Sequence, residues 1–134
     1  MTGTKLPAEK TILVAEDDPS IRLMMATTLR SEGYTVLDAA DGPSAEALAG
    51  KYGVPVDLLV SDFLMPGMDG HQLAERLRRL FPGMKVLIVS AHIEEEPVQK
   101  AVQEEAFKKG SAFLQKPFKP EDLRRKVRAV LLGM

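Results

Sequence analysis

Short runs of branched aliphatic residues recur five times in this chain and alternate with stretches of helical periodicity. The runs are Thr11–Ala15, Thr35–Leu37, Val56–Val60, Lys85–Val89 and Ser111–Leu114. The first, third and fourth runs are almost continuously apolar, which is typical of parallel strands that are covered on both faces. The second and fifth runs are weaker, so we expect at least one of them at an edge of the sheet.

Each aliphatic run is followed by a stretch that predicts an amphipathic helix. Asp18 and Pro19 suit the first two positions of the first helix, and Gly33 suits its end. The apolar stripes of the five predicted helices are Ile21, Met24, Met25, Thr28 and Leu29; Pro43 through Leu48; Leu73, Leu77 and Leu80; Val98, Val102 and Ala106; and, after Pro120, Leu123, Val127, Val130 and Leu131. Five strand–helix repeats predict an α/β fold, a doubly wound (βα)5 parallel sheet of the flavodoxin-like order 2-1-3-4-5.

The 134 residues suffice for one domain, which we expect to span residues 11–134 behind an N-terminal tail of residues 1–10. The net charge of -1 provides no overall attraction to nucleic acid or to an anionic membrane. The chain has no apolar run of membrane-spanning length and no apolar stretch of a signal peptide near Met1. It also has no cysteine, which excludes disulfides, thiolate metal sites and thiol nucleophiles and fits a reducing compartment. We therefore expect a cytoplasmic protein.

Reactive side chains cluster just after four of the predicted strands, at Glu16, Asp17, Asp62, Ser90 and Lys116. Ligands of doubly wound sheets bind beyond the carboxyl ends of the strands, where these side chains would converge. Three neighbouring carboxylates repel one another unless a cation balances them, and their oxygen ligands favour Mg²⁺. One carboxylate could then attack phosphorus, while Lys116 and Ser90 hold the phosphoryl oxygens.

Taken singly, these residues also have ordinary structural explanations. An acidic residue at a strand–helix junction is often a helix cap, and Asp18 is expected to be one. Ser90 alone would be read as a turn residue, and Lys116 alone as a solvated loop lysine. The functional interpretation depends on all five residues meeting at one edge of the sheet.

Four segments of the chain, in this order, resemble the response regulator receiver domains of two-component signalling, the CheY-like family. The segments are Ile12–Pro19, Asp57–Gly70, Val86–Ala91 and Phe113–Phe118. The resemblance covers roughly residues 10 to 132, nearly the whole chain. It implies a phosphorylation-controlled signalling switch of a phosphorelay, with a histidine kinase or a histidine phosphotransfer protein as phosphoryl donor and a downstream protein as target. No direct nucleic acid or membrane partner is expected, and the oligomeric state is expected to be a monomer or a weak dimer.

The resemblance assigns the phosphorylation site to Asp62, which matches the phospho-accepting aspartate of the family. Glu16 and Asp17 match the acidic pair that positions Mg²⁺. By the same resemblance the direct metal ligands would be Asp17, Asp62 and the backbone carbonyl of Leu64, with Glu16 acting through metal-bound water.

The resemblance also assigns the groups that sense the phosphoryl group. Ser90 matches the switch hydroxyl, Phe113 the switch aromatic residue and Lys116 the phosphoryl-binding lysine. The bond before Pro117 is cis in the family. The readout is expected on the face formed by the fourth predicted helix, the fifth strand and the fifth helix.

Three features depart from the family pattern. Glu16 stands where aspartate is commoner, and Phe113 lacks the hydroxyl of the tyrosine often found there. The segment from Ser90 to Lys116 is about one helical turn longer than the family pattern, which affects the fourth helix and its part in the output face. The chain ends at Met134 without a predicted effector domain, so we expect a stand-alone receiver or a receiver from a hybrid kinase.

Two other functions fit parts of the pattern. A metal-dependent phosphatase with an aspartyl nucleophile usually needs an acid two residues after that nucleophile, where this chain has Leu64. A receiver that binds partners without phosphorylation would not need the set Asp17, Asp62, Ser90 and Lys116. We therefore expect no conventional enzyme, only Mg²⁺-dependent self-phosphorylation and self-dephosphorylation.

Overall fold

The computed structural model describes residues 10–91, 99–100, 103–104 and 110–133. In these residues five strands and four longer helices follow one another along the chain. They are β1 (Thr11–Ala15), α1 (Pro19–Ser31), β2 (Thr35–Ala39), α2 (Gly42–Tyr52), β3 (Leu58–Asp62), α3 (Gly70–Leu80), β4 (Lys85–Ser90), β5 (Ser111–Gln115) and α4 (Pro120–Leu132). The helix predicted at Val98, Val102 and Ala106 lies outside the described residues, as does the predicted tail up to residue 9.

The five strands form one parallel sheet in the order β2-β1-β3-β4-β5, which confirms the predicted doubly wound topology. All five residues of β1 and all five of β3 are buried. The apolar sequence predicts this burial for β1 and for Leu58–Val60, whereas Ser61 and Asp62 are polar. The weaker runs form β2 and β5, which are both partly exposed and lie at the two edges. Hydrophobic burial therefore determines which strands lie at the centre of the sheet.

Alternate residues of the strands pack on opposite faces of the sheet. Leu13, Leu59 and Ile88 belong to the core cluster that α2 and α3 cover. Val14 and Val60 belong to the other cluster, which α1 and α4 cover. The same alternation continues to the ends of the strands. It therefore determines on which face of the sheet each polar residue of the site lies.

β3 begins and ends two residues later than the sequence predicted. Val56 is buried in the core, although it is not part of the strand. At the next residue, the side chain of Asp57 takes the place of a backbone acceptor toward β1. The Thr11 amide donates to Oδ2 of Asp57 at 2.8 Å, and the Asp57 amide donates to the Thr11 carbonyl at 2.9 Å. The shift makes Asp62 the last residue of the strand rather than a loop residue, which ties its backbone to the sheet.

The start of α1 is the one predicted from the sequence. Oδ1 of Asp18 accepts the amides of Ser20 and Ile21 at 2.8 and 3.1 Å, and Pro19 is the first helical residue. α2 runs to Tyr52, four residues beyond the predicted Leu48, and ends at Gly53 with φ of 85°. That left-handed φ is favourable only for glycine, so the helix end has a clear local cause.

Gly70 lies at the start of α3 and touches the strand that carries Asp62. A Cβ on Gly70 would lie 2.5 Å from the Asp62 carbonyl oxygen, whereas a Cβ on the helical Gly50 would meet nothing within 4 Å. We predict that Gly70→Ala destabilises the fold by about 1–3 kcal/mol, the usual cost of overpacking. Gly50→Ala should instead stabilise it by about 0.5–1 kcal/mol, because alanine loses less entropy in a helix.

Urea unfolding of the two variants measures both changes. Equal effects of the two substitutions would contradict the close approach of α3 to Asp62.

Candidate functional site

Backbone hydrogen bonds between neighbouring strands bring the predicted site residues to the end of the sheet at which the strands have their carboxyl ends. The Glu16 amide donates to the Ala39 carbonyl at 3.1 Å, at the end of β1. The Lys116 amide donates to the Ser90 carbonyl at 2.9 Å and thereby extends the pairing of β4 and β5 by one residue. The sheet itself therefore fixes the positions of the Glu16 and Lys116 backbones.

The ammonium group of Lys116 lies between two carboxylates. Its Nζ donates to Oε1 of Glu16 at 2.8 Å and to Oδ2 of Asp62 at 3.0 Å. The Lys116 side chain is only 15% exposed, the Asp62 side chain 11%, and the Glu16 side chain is fully buried. Charges this far from water are stable only when they are paired and hydrogen-bonded. The three groups therefore form one unit, which links β1, β3 and the end of β5.

Both carboxylate oxygens of Glu16 are occupied inside the protein. Oε1 accepts from Lys116, and Oε2 accepts the Asp18 amide at 3.1 Å. The Glu16 carbonyl accepts Nη1 of Arg22 at 2.8 Å, and Nε of Arg22 lies 3.6 Å from the Asp38 carboxylate. Glu16 is thus held through its side chain and its backbone, and in this structure it serves as the counterion of Lys116.

The pKa values of this pair reflect burial and mutual attraction. Burial raises the pKa of Glu16 above its ordinary value, and repulsion from Asp62 adds to this, although hydrogen bonds from Lys116 and the Asp18 amide oppose it. Burial acts to lower the pKa of Lys116. The hydrogen bonds that Lys116 donates to Glu16 and Asp62, together with the negative charges of these two residues, outweigh the effect of burial, so the pKa of Lys116 is raised. The lysine therefore stays cationic at neutral pH.

The carboxylates of Glu16, Asp17 and Asp62 form an acidic cluster in which one oxygen of each lies within 4.8 Å of the others. Asp17 is exposed, whereas Glu16 and Asp62 are buried. In the described part of the chain, the cluster sets three carboxyl groups against the single ammonium group of Lys116, so its formal charge is negative. Oxygen donors, excess negative charge and access from solvent at Asp17 fit a hard dication such as Mg²⁺.

Ser90 and Phe113, to which the resemblance assigns the sensing of the phosphoryl group, lie on the face of the sheet opposite to Asp62. Ile88 pairs with Phe113 and Ser90 pairs with Gln115 in the β4–β5 register, so Phe113 lies diagonally next to Ser90. Ser90 is 1% exposed, and Phe113 is partly buried against the cluster that α2 and α3 cover. The two residues are thus placed where one can respond to the other.

Leu64 and Pro117 are the remaining predicted site residues. The side chain of Leu64, two residues after Asp62, is 47% exposed and carries no group that could move a proton. The peptide bond between Lys116 and Pro117 is cis, the state that the resemblance implies. Of the predicted site residues, Glu16, Asp17, Asp62 and Lys116 are the ones whose side chains the structure brings together.

Sequence reasoning missed three residues that hold the site. Arg22 was part of the first predicted helix, yet its guanidinium reaches back to the Glu16 carbonyl. Ser61 donates its hydroxyl hydrogen to the Asp62 carbonyl at 2.9 Å, and Gly70 lies against that same carbonyl. Ser61 and Gly70 both lie in the segment that carries the family resemblance, but only the tertiary contacts reveal what they do.

A family model described as the response regulator receiver domain matches residues 12–128. The sensor kinase CckA of Brucella abortus is 35% identical over 129 residues, which are 96% of this chain and 13% of the kinase. The transcriptional regulatory protein GlrR of Escherichia coli is 38% identical over 106 residues, 79% of this chain and 22% of the regulator. The chain therefore spans less than a quarter of the length of each of these two curated relatives.

Solved structures show the same similarity in three dimensions. The chemotaxis protein CheY4 of Vibrio cholerae has a TM-score of 0.77 and 32% identity, and the match covers 90% of this chain and 98% of that one. The receiver domain of the hybrid histidine kinase CckA has a TM-score of 0.73 and 33% identity with the same coverage. Among the described residues of this chain, no helix has the length and apolar character of a membrane span.

We predict that Mg²⁺ stabilises this protein by balancing the acidic cluster. A ligand at a hundred times its Kd adds about 2.7 kcal/mol to the free energy of unfolding. Asp17→Asn should raise the melting temperature without metal, because it relieves repulsion from Glu16 and Asp62, and should remove most of the Mg²⁺ effect. Asp18→Asn is the matched control, since asparagine also caps a helix and the Mg²⁺ effect should persist.

Thermal melts with and without MgCl₂ measure both effects. An Mg²⁺ response in Asp17→Asn as large as in the unsubstituted chain would contradict this metal site.

Proposed function

This chain belongs to the response regulator receiver family of two-component signalling, and on that basis we propose that it is a switch controlled by phosphorylation of Asp62. The donor is the phosphohistidine of a histidine kinase or of a histidine phosphotransfer protein. The observation that supports this most directly is the placement of the Asp62 carboxylate, which lies within the acidic cluster and 3.0 Å from the Lys116 ammonium. Relatives of this family act with histidine kinases, and the resemblance to a receiver of a hybrid histidine kinase is consistent with such a donor.

The reaction we propose is a displacement at phosphorus. A carboxylate oxygen of Asp62 forms the new P–O bond while the P–N bond to the donor imidazole breaks. The imidazole nitrogen retains the electron pair of that bond and takes up a proton. Because phosphoryl transfer depends mainly on positioning and charge neutralisation, the protein needs to hold its nucleophile still and to compensate the phosphoryl charge.

Mg²⁺ is the cofactor in this proposal, and the oxygen donors of the acidic cluster fit it. Asp17, Asp62 and the backbone carbonyl of Leu64 would hold the ion, and Glu16 would contact it through water. When bound, the ion supplies positive charge to the phosphoryl oxygens. Asp17 is suited to recruiting the ion because its carboxylate is exposed, whereas Glu16 is committed to Lys116.

Lys116 and Ser90 are the groups that we propose recognise the attached phosphoryl group. The Lys116 ammonium already contacts Asp62, so a small movement would bring it to a phosphoryl oxygen as a point charge. The hydrogen bond to Glu16 raises the pKa of Lys116 and keeps its ammonium group near Asp62, before and after the proposed phosphorylation. Ser90 is the last residue of β4, and its hydroxyl is proposed to donate to another phosphoryl oxygen.

The signal is proposed to leave the site through Ser90 and Phe113. Movement of the Ser90 hydroxyl toward the phosphoryl group opens space for its diagonal neighbour Phe113 to turn inward. One charge-assisted hydrogen bond and burial of an aromatic ring contribute about 2–4 kcal/mol, enough to reverse a modest preference between two states. The surface of β5 and α4 then changes and is read by a protein partner.

The chemistry proposed for this chain is limited to its own phosphorylation and dephosphorylation. The side chain of Leu64 offers no acid or base two residues after Asp62, so turnover of small phosphate esters is not part of the proposal. The switch is proposed to act as a stand-alone receiver or as a receiver of a hybrid kinase, and this chain matches 13% of the length of a sensor kinase.

We predict that Asp62 is the site of modification. Incubation with acetyl phosphate and Mg²⁺ should add one phosphoryl group, visible by intact mass spectrometry. Asp62→Asn should abolish the labelling because the amide is a poor nucleophile, and EDTA should suppress it. Asp69→Asn is the control, since this residue caps α3 and asparagine retains the cap.

Labelling of Asp62→Asn, or full labelling in EDTA, would contradict the assignment.

We also predict slow self-dephosphorylation, because Leu64 cannot orient a water molecule by a hydrogen bond from its side chain. Leu64→Asn supplies such a group and should shorten the half-life of the phosphorylated protein by about tenfold, or about 1.4 kcal/mol of the activation barrier. Leu80→Asn, at the end of α3, replaces a leucine of similar exposure and should leave the half-life unchanged. Loss of the phosphoryl group is followed by mass spectrometry after removal of the donor, and an unchanged half-life in Leu64→Asn would refute this explanation of the rate.

A further inference from the structure

Ser61 is a buried polar residue in the middle of the sheet, next to Asp62. It is completely inaccessible to solvent, and its neighbours in register are the buried Ala15 on β1 and Ile88 on β4. Burying a hydroxyl costs free energy unless it is hydrogen-bonded. The Ser61 hydroxyl meets this requirement by donating to the backbone carbonyl of Asp62 at 2.9 Å.

The backbone that follows the Asp62 side chain is held at three successive points. The Asp62 carbonyl accepts the Ser61 hydroxyl, and the Phe63 amide donates to the Val89 carbonyl at 2.9 Å. The Phe63 carbonyl accepts the Gly70 amide at 2.8 Å. Together these bonds fix the two peptide units that lead from Asp62 to Leu64.

Gly70 leaves the space that this arrangement needs. A Cβ on Gly70 would lie 2.5 Å from the Asp62 carbonyl oxygen and 3.1 Å from the Ser61 hydroxyl oxygen. The start of α3 therefore packs closely against the Asp62 carbonyl, which also accepts the hydrogen bond from Ser61. The carbonyl of Asp62 is thus confined from two sides by two different elements.

We propose that Ser61 is a positioning residue for the reaction at Asp62, an inference that rests on the proposed function. Its hydroxyl sets the orientation of the peptide unit after Asp62, and through it the direction of the Asp62 carboxylate and of the Leu64 carbonyl. An alanine would occupy nearly the same space between Ala15 and Ile88, so packing alone does not require a hydroxyl at this place.

Ser61→Ala tests the proposal, because it removes the hydroxyl and little else. The matched control is Ser31→Ala at the far end of α1, where another serine hydroxyl donates to a backbone carbonyl, that of Thr28, at 2.7 Å. Mg²⁺ binding is measured by titrating MgCl₂ and following backbone amide NMR shifts, and phosphorylation by the rate of labelling with acetyl phosphate. Melting temperatures of both variants separate general destabilisation from loss of positioning.

We expect Ser61→Ala to weaken Mg²⁺ binding and to slow labelling, each by about 2- to 10-fold, the range of one neutral hydrogen bond. The ¹³C shift of the Asp62 carbonyl should change without metal or donor, as a direct sign of the lost hydrogen bond. Ser31→Ala should match the unsubstituted chain in both functional measurements, even where its melting temperature falls equally.

Two results would overturn the proposal in distinguishable ways. Normal labelling of the unsubstituted chain, with Ser61→Ala equal to Ser31→Ala in Mg²⁺ affinity and labelling rate, would refute the role of Ser61 alone. Failure of the unsubstituted chain to be labelled would contradict the proposed function, and the role of Ser61 would fall with it.

Discussion

The ammonium group of Lys116 lies 2.8 Å from Glu16 and 3.0 Å from Asp62, and this contact joins the ends of three strands that are distant in sequence. Two buried carboxylates at the edge of a sheet repel each other, and removing the cation between them would leave both charges uncompensated. The pair of carboxylates therefore requires Lys116, and the position of Lys116 requires the pairing of its amide with Ser90. Compensation inside the protein is incomplete, since Asp17 adds a third carboxylate that is open to solvent. That remaining negative charge is the physical basis on which we propose the binding of a dication and the phosphorylation of Asp62.

The acidic cluster and the residues that we propose respond to phosphorylation, Ser90 and Phe113, lie on opposite faces of the sheet. In β3, Leu58 and Val60 pack against α1 and α4, and Asp62 continues that face toward the acidic cluster. In β5, Phe113 packs on the opposite face, where its register partner Ile88 also lies. Ser90 is the last residue of β4 and belongs to the face of Phe113, yet it lies at the edge where the phosphoryl group would be attached. The alternation of side chains along a strand thus provides a short route from the reactive carboxylate to the other side of the sheet.

The fold was predictable because hydrophobic burial determines it. The continuous apolar runs became the central strands and the weaker runs the edges, and Asp18 with Pro19 defined the start of α1. The start of β3 was misplaced by two residues because the side chain of Asp57 pairs with Thr11, a contact that periodicity does not reveal. The convergence of Glu16, Asp17, Asp62 and Lys116 followed from the parallel topology, since all four lie at carboxyl ends of strands. The roles of Arg22, Ser61 and Gly70 did not follow, because each depends on a contact made only after the chain has folded.

We propose that one network, from Glu16 through Lys116 to Asp62, receives a phosphoryl group and passes the change to Ser90 and Phe113. The decisive experiment is a crystal structure with Mg²⁺ and beryllofluoride, a mimic of the phosphoryl group. We expect beryllofluoride on the Asp62 carboxylate, in contact with both the Lys116 ammonium and the Ser90 hydroxyl, and a Phe113 ring turned toward the space that Ser90 leaves. Beryllofluoride bound elsewhere, or bound to Asp62 while Lys116, Ser90 and Phe113 keep their present positions, would contradict it.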